Sequence, residues 1–202
     1  MRIKQKIGVI GGTFDPIHNG HLYIAENARK LHGLNKVIFM PSAKPPHKQK
    51  KHISDSSIRL EMCSLAIQDN EYFEVSALEI NRTGLSYTID TLKQLKETYN
   101  ADTQIYFICG ADMLADMPNW YKANELIANN FFIAVARPGY SLMDIVKDKP
   151  LLQEYIANIS LLNVMPVKIS STGIRNSFKK GNSIKYLLPN KVEKYINEHD
   201  LY

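Results

Sequence analysis

The stretch Ile7-Gly8-Val9-Ile10-Gly11-Gly12-Thr13-Phe14-Asp15-Pro16-Ile17-His18-Asn19-Gly20-His21 decides how the rest of the chain is read. Ile7 to Ile10 is a short apolar run of the kind buried in a parallel sheet. Two glycines follow it directly, so the backbone there can approach a ligand closely with its amides turned outward. From about His18 to Leu31, the residues Leu22, Ala25, Ala28 and Leu31 fall on one helical face, and Gly33 stands where a C-cap glycine belongs. The first N–H groups of such a helix lack partners within it and attract phosphate. His18 and His21, three apart, share a face of the first turn. Gly20 between them removes the side chain that would crowd a nucleotide. Imidazoles beside backbone donors form a clamp for charge that develops at a phosphorus under attack. The spacing is neither a Walker A loop nor GxGxxG. No cysteine or carboxylate at ligand spacing completes a zinc site with the histidines.

Outward from this segment, apolar runs alternate with amphipathic ones. Val37 to Met40 reads as a second strand, closed by Pro41, and Asp55 to Ile67 as a helix capped by Ser54 or Asp55. Glu74 to Ile80 alternates as a half-exposed strand would. Ser86 then stands as the cap of a helix carrying Ile89, Leu92, Leu95 and Tyr99. Ile105 to Cys109 is a further buried strand and ends in Gly110. A helical pattern around Tyr121 to Ala128 precedes a strand from Phe131 to Ala136. A helix near Leu142 to Lys147 and a short strand near Leu161 to Val164 follow, and the last forty or so residues read as helical. This order predicts an α/β chain: a Rossmann-like parallel sheet with helices on both faces and a helical C-terminal region from about 165 to 202, in one domain spanning 1–202. Ligands of such sheets bind outside the carboxyl ends of the strands. Gly11-Gly12, the stretch from Pro41 to Lys48, and Gly110 to Asp112 all fall there.

Composition narrows the classes. The 202 residues carry a net charge of +5 and ordinary apolar and charged fractions, which excludes global disorder and suits an anionic substrate and a plain solvated surface equally. Cys63 and Cys109 are the two cysteines, and both read as buried thiols. No apolar run is long enough to span a bilayer and no signal-peptide core follows Met1 to Lys6, so a cytoplasmic address is the expectation. Lys44, Lys48, Lys50 and Lys51 form a lysine-rich loop. Without aromatic residues beside them they lack the stacking groups that single-stranded nucleic acids meet, so neither a nucleic-acid nor a membrane partner is expected.

The segment Gly11 to His21 resembles the GGTFDPxHxGH signature of the HxGH nucleotidyltransferase superfamily. The chain as a whole is similar to that superfamily's bacterial nicotinate-mononucleotide adenylyltransferases. Four further matches carry the likeness: Lys44-Pro45-Pro46-His47-Lys48 is similar to a KxPHK loop, and Ser86-Tyr87-Thr88 to the start of a SYTxDTL helix. Gly110-Ala111-Asp112 with Trp120 is similar to a GxD…W region, and Ile169 to Arg175 to an ISSTxIR motif. Ile17 departs from the pattern, which more often has proline there. The resemblance implies that ATP, with Mg²⁺ bound mainly through its phosphates and not by protein side chains, lies across Gly11, Gly12, Thr13 and Phe14. His18 and His21 would hold the triphosphate, Ser171, Thr172 and Arg175 the β- and γ-phosphates, and Gly110 and Asp112 the adenosine side. His18, His21 and Arg175 would be the catalytic groups. The acceptor, nicotinate mononucleotide, would stack its pyridinium on Trp120, with backbone N–H groups of Thr88 and Tyr121 on its carboxylate, Lys44 and His47 on its phosphate, and Tyr87 and Asp112 also in its site. The implied reaction moves AMP from ATP to that acceptor, giving deamido-NAD and pyrophosphate in NAD biosynthesis.

Two rivals share parts of this reading. Sibling transferases with the same signature act on nicotinamide mononucleotide, phosphopantetheine, or choline and glycerol phosphates. A nucleotide-binding regulator on the same fold would bind without turnover, but need not keep His18, His21 and Arg175 together. The apolar faces of the last helices would serve either packing on the sheet or a homodimer surface.

Overall fold

The structure, a computed structural model, describes residues 3–45, 53–136, 139–165 and 167–202. Six strands form one all-parallel sheet: β1 (Gln5–Gly12), β2 (Lys36–Pro41), β3 (Phe73–Val75), β4 (Thr103–Gly110), β5 (Phe131–Val135) and β6 (Ile159–Leu162). Their order is β3-β2-β1-β4-β5-β6. It reverses between β1 and β4, which is where a doubly wound sheet opens a crevice.

Strand periodicity separates two cores. Ile7, Val9, Ile38, Met40, Phe107 and Cys109 face one side, and Ile10, Val37, Phe39, Ile108, Ile133 and Val135 the other. The first side is covered by α3 (Thr88–Thr98), α4 (Ala111–Asp116), α5 (Ala123–Asn129), α6 (Leu142–Lys147) and α7 (Pro150–Glu154). The second is covered by α1 (Asn19–His32), α2 (Ser56–Ile67), α8 (Ser171–Lys179) and α9 (Asn190–Glu198). α9 docks through Val192 and Ile196, which spaces its apolar positions one turn apart. Cys63 and Cys109 are both buried, one in each core.

Several local expectations need correction. The edge strand β3 ends at Val75, because Ser76 Oγ accepts the Leu78 amide (3.3 Å) and the chain turns at Asn81, whose N–H reaches Ala77 O (2.9 Å). Ser86 does not cap α3. Its hydroxyl instead accepts the amides of Ala43 and Lys44 (3.1 and 3.4 Å), and Tyr87 takes the cap position. α5 starts at Ala123 rather than near Tyr121, because Lys122 is left-handed (φ 52°). The last strand ends at Leu162, two residues before the expected Val164, and α4 and α7 were not anticipated. Gly33 does close α1 in the left-handed conformation (φ 62°).

Candidate active site

A cavity of about 880 Å³ opens where β1 and β4 end side by side, within the size range of small-molecule and cofactor sites. Its near wall is the turn after β1. Gly11, Gly12, Thr13 and Phe14 line it, and Phe14 is held at φ 50°, a left-handed conformation that costs a bulky residue strain. The Phe14 ring turns inward, edge-on to His21 at 4.9 Å and against Phe39 at 5.9 Å, so it buttresses the histidine.

His18 is not in the first helical turn but is the extended N-cap residue of α1 (φ −148°, ψ 167°), with His21 at N3. Their rings stack with centroids 3.6 Å apart and planes 17° from parallel. His18 is 4 % exposed yet lines the cavity with His21, so the pair sits in its wall and not in the apolar interior. The His18 backbone N–H donates to His21 Nδ1 (3.2 Å). An amide can only donate, so Nδ1 bears the lone pair and the proton of neutral His21 lies on Nε2. The Nε2–H of that tautomer is a donor of the kind an anionic oxygen accepts. A Cβ on Gly20 would stand 3.0 Å from His18 Nδ1 and 3.1 Å from its Cε1, tighter than ordinary contact. Gly20→Ala is therefore expected to push the His18 ring off its stack. It should lower activity severalfold while shifting the melting temperature by no more than about 4 °C, the shift that goes with 1 kcal/mol in a chain of this length, as paired rate and melting measurements would show.

Across the crevice, α8 brings Ser171, Thr172 and Arg175 to the same cavity. Ser170, the N-cap, accepts the Gly173 amide (3.1 Å), and Ser171 Oγ donates to Pro16 O (2.8 Å), which fastens the helix start to the β1 turn. Arg175 Nη1 donates to Asp15 O (2.6 Å), and Nη2 to Thr172 Oγ1 (3.4 Å). From β4 and α4 come Gly110 and Asp112. A smaller cavity of about 420 Å³ adjoins at His18, Asp112 and Ser170, and its mixed wall includes Ile24, Val164 and Ile169 beside Lys168 and two tyrosines, Tyr23 and Tyr140.

The far wall is aromatic. Trp120 meets Phe107 edge-on at 6.3 Å, and its indole Nε1 donates to Asp116 Oδ2 (3.1 Å). Tyr87 and Tyr121 lie 4.4 Å apart and 34° from parallel. Thr88 begins α3, where amides have no intrahelical partner. All four residues line the main cavity. Lys44 does not: its side chain is exposed, and its carbonyl accepts the Ser86 amide (3.1 Å), while its neighbour Pro45 reaches the wall. His47 lies outside the described residues.

Residues that local pattern missed hold this frame. The Arg59 guanidinium, 1 % exposed, donates to Thr13 O (2.7 Å), Ser54 O (2.8 Å) and Ala43 O (3.4 Å). Burial lowers its pKa, opposed by the nearby Asp15 charge. Its signal was available, since position 59 falls on the same helical face as Met62, Cys63 and Ile67. Glu79 also lines the cavity and accepts from Thr91 Oγ1 (2.7 Å), whose oxygen accepts from Arg82 Nη2 (3.0 Å). Burial pushes the Glu79 carboxyl above the usual carboxylate range. Among the described residues no group of three or more His, Cys, Asp or Glu is placed to hold a metal ion, and no helix is long and apolar enough to cross a membrane.

The cytidylyltransferase-like family model matches residues 9–177. A probable nicotinate-nucleotide adenylyltransferase of Desulfitobacterium hafniense (strain Y51) is 44 % identical over 199 residues, covering 98 % of this chain and 96 % of its own. The nicotinate-nucleotide adenylyltransferase of Bacillus subtilis (strain 168) is 44 % identical over 198 residues, covering 98 % of each. In fold, the chain is similar to Plasmodium falciparum nicotinic acid mononucleotide adenylyltransferase, solved in complex with NaAD (TM-score 0.82, 23 % identity, 98 % and 97 % of the two chains covered). With the turn after β1, the stacked histidines and the α8 arginine gathered at one switch point, and with relatives alike from end to end, the chain belongs to the cytidylyltransferase-like family and, within it, to the nicotinate-nucleotide adenylyltransferases.

Proposed function

We propose that this protein transfers AMP from ATP to nicotinate mononucleotide, releasing pyrophosphate and forming deamido-NAD. The observation that carries the reading is the stacked pair His18 and His21 at the N-terminus of α1, set in one cavity between Arg175 and the aromatic wall of Trp120, Tyr87 and Tyr121. The triphosphate lies along Gly11 to Thr13, with the adenosine half reaching past Asp112 into the smaller cavity. The Mg²⁺ expected with ATP fits a donor set of amides, hydroxyls, imidazoles and a guanidinium, which binds phosphate oxygens and leaves the ion to ligands supplied by the phosphates. When bound, it neutralises charge on the leaving pyrophosphate.

A phosphate oxygen of the acceptor attacks the α-phosphorus in line. The bond from that phosphorus to the α,β-bridging oxygen breaks, and the electron pair leaves with pyrophosphate, so no proton has to move. The protein's work is positional and electrostatic. His21 Nε2–H and the His18 ring meet charge growing about the α-phosphate, while Arg175 with the Ser171 and Thr172 hydroxyls holds the departing phosphates. The pyridinium stacks on the Trp120 face. Amides at Thr88 and Tyr121 favour a carboxylate over an amide, because a mismatched acceptor leaves buried donors unpaired. Lys44 and His47 remain the groups proposed for the acceptor phosphate. Residues 1–202 are read as one nucleotidyltransferase domain, which the packing of α8 and α9 on the core of β1 and β2 supports.

The test is pyrophosphate release with MgATP and, separately, nicotinate mononucleotide, nicotinamide mononucleotide, phosphopantetheine, and choline and glycerol phosphates. The first acceptor is expected to give the highest kcat/KM. Equal or greater efficiency with the amide or with an unrelated phosphate would overturn the assignment.

A further inference from the structure

Asp15 sits inside the turn after β1 with only 4 % of its surface exposed, yet no role in the transfer so far described uses its carboxylate. Oδ1 accepts from the hydroxyl of Tyr202, 187 positions along the chain, at 2.8 Å. Oδ2 lies 3.5 Å from the Ser54 amide and 4.0 Å from Arg175 Nη1. Tyr202 is itself seated, with its ring edge-on to Phe178 of α8 at 6.3 Å. Burial and the Asp15 charge hold its phenol protonated, so it is a constant donor.

Two cations stand near this carboxylate, and they differ in freedom. Arg59 has its Nε, Nη1 and Nη2 committed to three backbone carbonyls. Arg175 is at the edge of the cavity, 28 % exposed, and two of its five donors are taken by Asp15 O and Thr172 Oγ1. A buried carboxylate that loses a donor draws in the nearest mobile one. Arg175 is that group, and the fork it would turn toward Asp15 is the fork a phosphate needs.

We propose that Tyr202 is a positioning residue for the phosphate site: by saturating one oxygen of Asp15, it holds the Arg175–Asp15 ion pair at its long 4.0 Å separation and keeps the guanidinium fork turned to the triphosphate rather than drawn in onto the carboxylate. The inference rests on the proposed role of Arg175 and deepens it.

Tyr202→Phe keeps the ring against Phe178 and removes only the hydroxyl. Titration calorimetry with MgATP is expected to show about tenfold weaker binding in this variant, the size of a coupling between contacting groups. The KM for nicotinate mononucleotide should stay within about twofold of wild type, the tolerance for sites that do not interact. In an Arg175→Ala background the same substitution should change MgATP affinity by less than about twofold, because nothing remains to be diverted. Adding Asp15→Asn to Tyr202→Phe removes the competing charge and should restore much of the lost affinity, whereas a merely structural defect would deepen. Unchanged MgATP affinity in Tyr202→Phe, or an equal loss with and without Arg175, would overturn the proposal. Wild-type turnover of the acceptor decides the proposed activity by itself, since the calorimetric arms contain no acceptor.

Discussion

Replacing His21 by alanine is expected to lower turnover with MgATP and nicotinate mononucleotide by at least about 10²–10³, equivalent to about 2.7–4 kcal/mol of transition-state stabilisation, and His18→Ala by a similar factor. The size follows from placement. Both rings face the cavity at a helix N-terminus, where the partial positive charge already favours anions. His21 is further fixed by the His18 amide on Nδ1 and by the Phe14 edge, so its remaining nitrogen is preorganised and gains nothing from reorientation during reaction. Folding should survive either change, because the stacked pair belongs to the cavity wall and the apolar cores on both sheet faces are untouched. The check is kcat at saturating substrates beside a thermal melt. Near-normal turnover in either variant would remove the imidazole clamp from the account.

The second large effect is on stability. Arg59→Ala should cost about 3–5 kcal/mol, the penalty for breaking a buried charged network. It removes a guanidinium that joins the β1 turn at Thr13, the chain just after β2 at Ala43, and the run into α2 at Ser54, and leaves three partly buried carbonyls without that donor. For a chain of this length, that corresponds to a fall in Tm of about 6–20 °C. Arg59→Lys should recover only part, since an ammonium cannot span three carbonyls in the plane of a fork. Denaturant unfolding of both variants measures the difference. A loss under about 1 kcal/mol in Arg59→Ala would mean that the three carbonyls find other donors, and that the guanidinium does not organise this corner.

What could be read in the sequence follows the range of the interactions. The strands β1, β2, β4 and β5 were legible because Ile7, Val9 and Ile10, and the matching apolar runs in the others, alternate between two cores with a period set by the backbone itself. The turn after β1 was legible because its parts lie within fifteen residues: a strand, two glycines, and histidines three positions apart at a helix start. Ser86 misled because a serine before a helix has two uses. Its hydroxyl went to Ala43 and Lys44, a contact spanning more than forty positions that no local rule weighs. Glu74 to Ile80 misled because alternation records side-chain burial, and a turn that buries Glu79 against Thr91 produces the same pattern as a strand. Arg59 carried a clue in its helical phase. The Asp15–Tyr202 contact carried none, because it depends on how α8 and the last residues return to the β1 turn. Much of the cavity lining thus lay in local motifs, but Lys44 does not line it and the scaffold behind it had no local signature.

The most direct test of the central claim is phosphorus NMR of the wild-type protein with MgATP and nicotinate mononucleotide, followed through one turnover series. Transfer at the α-phosphorus predicts that the ATP and mononucleotide resonances decline together, replaced by free pyrophosphate and the coupled pair of a dinucleotide's bridging phosphates. Appearance of ADP, or of inorganic phosphate with the mononucleotide signal unchanged, would place the reaction at another phosphorus or on water and would contradict the account.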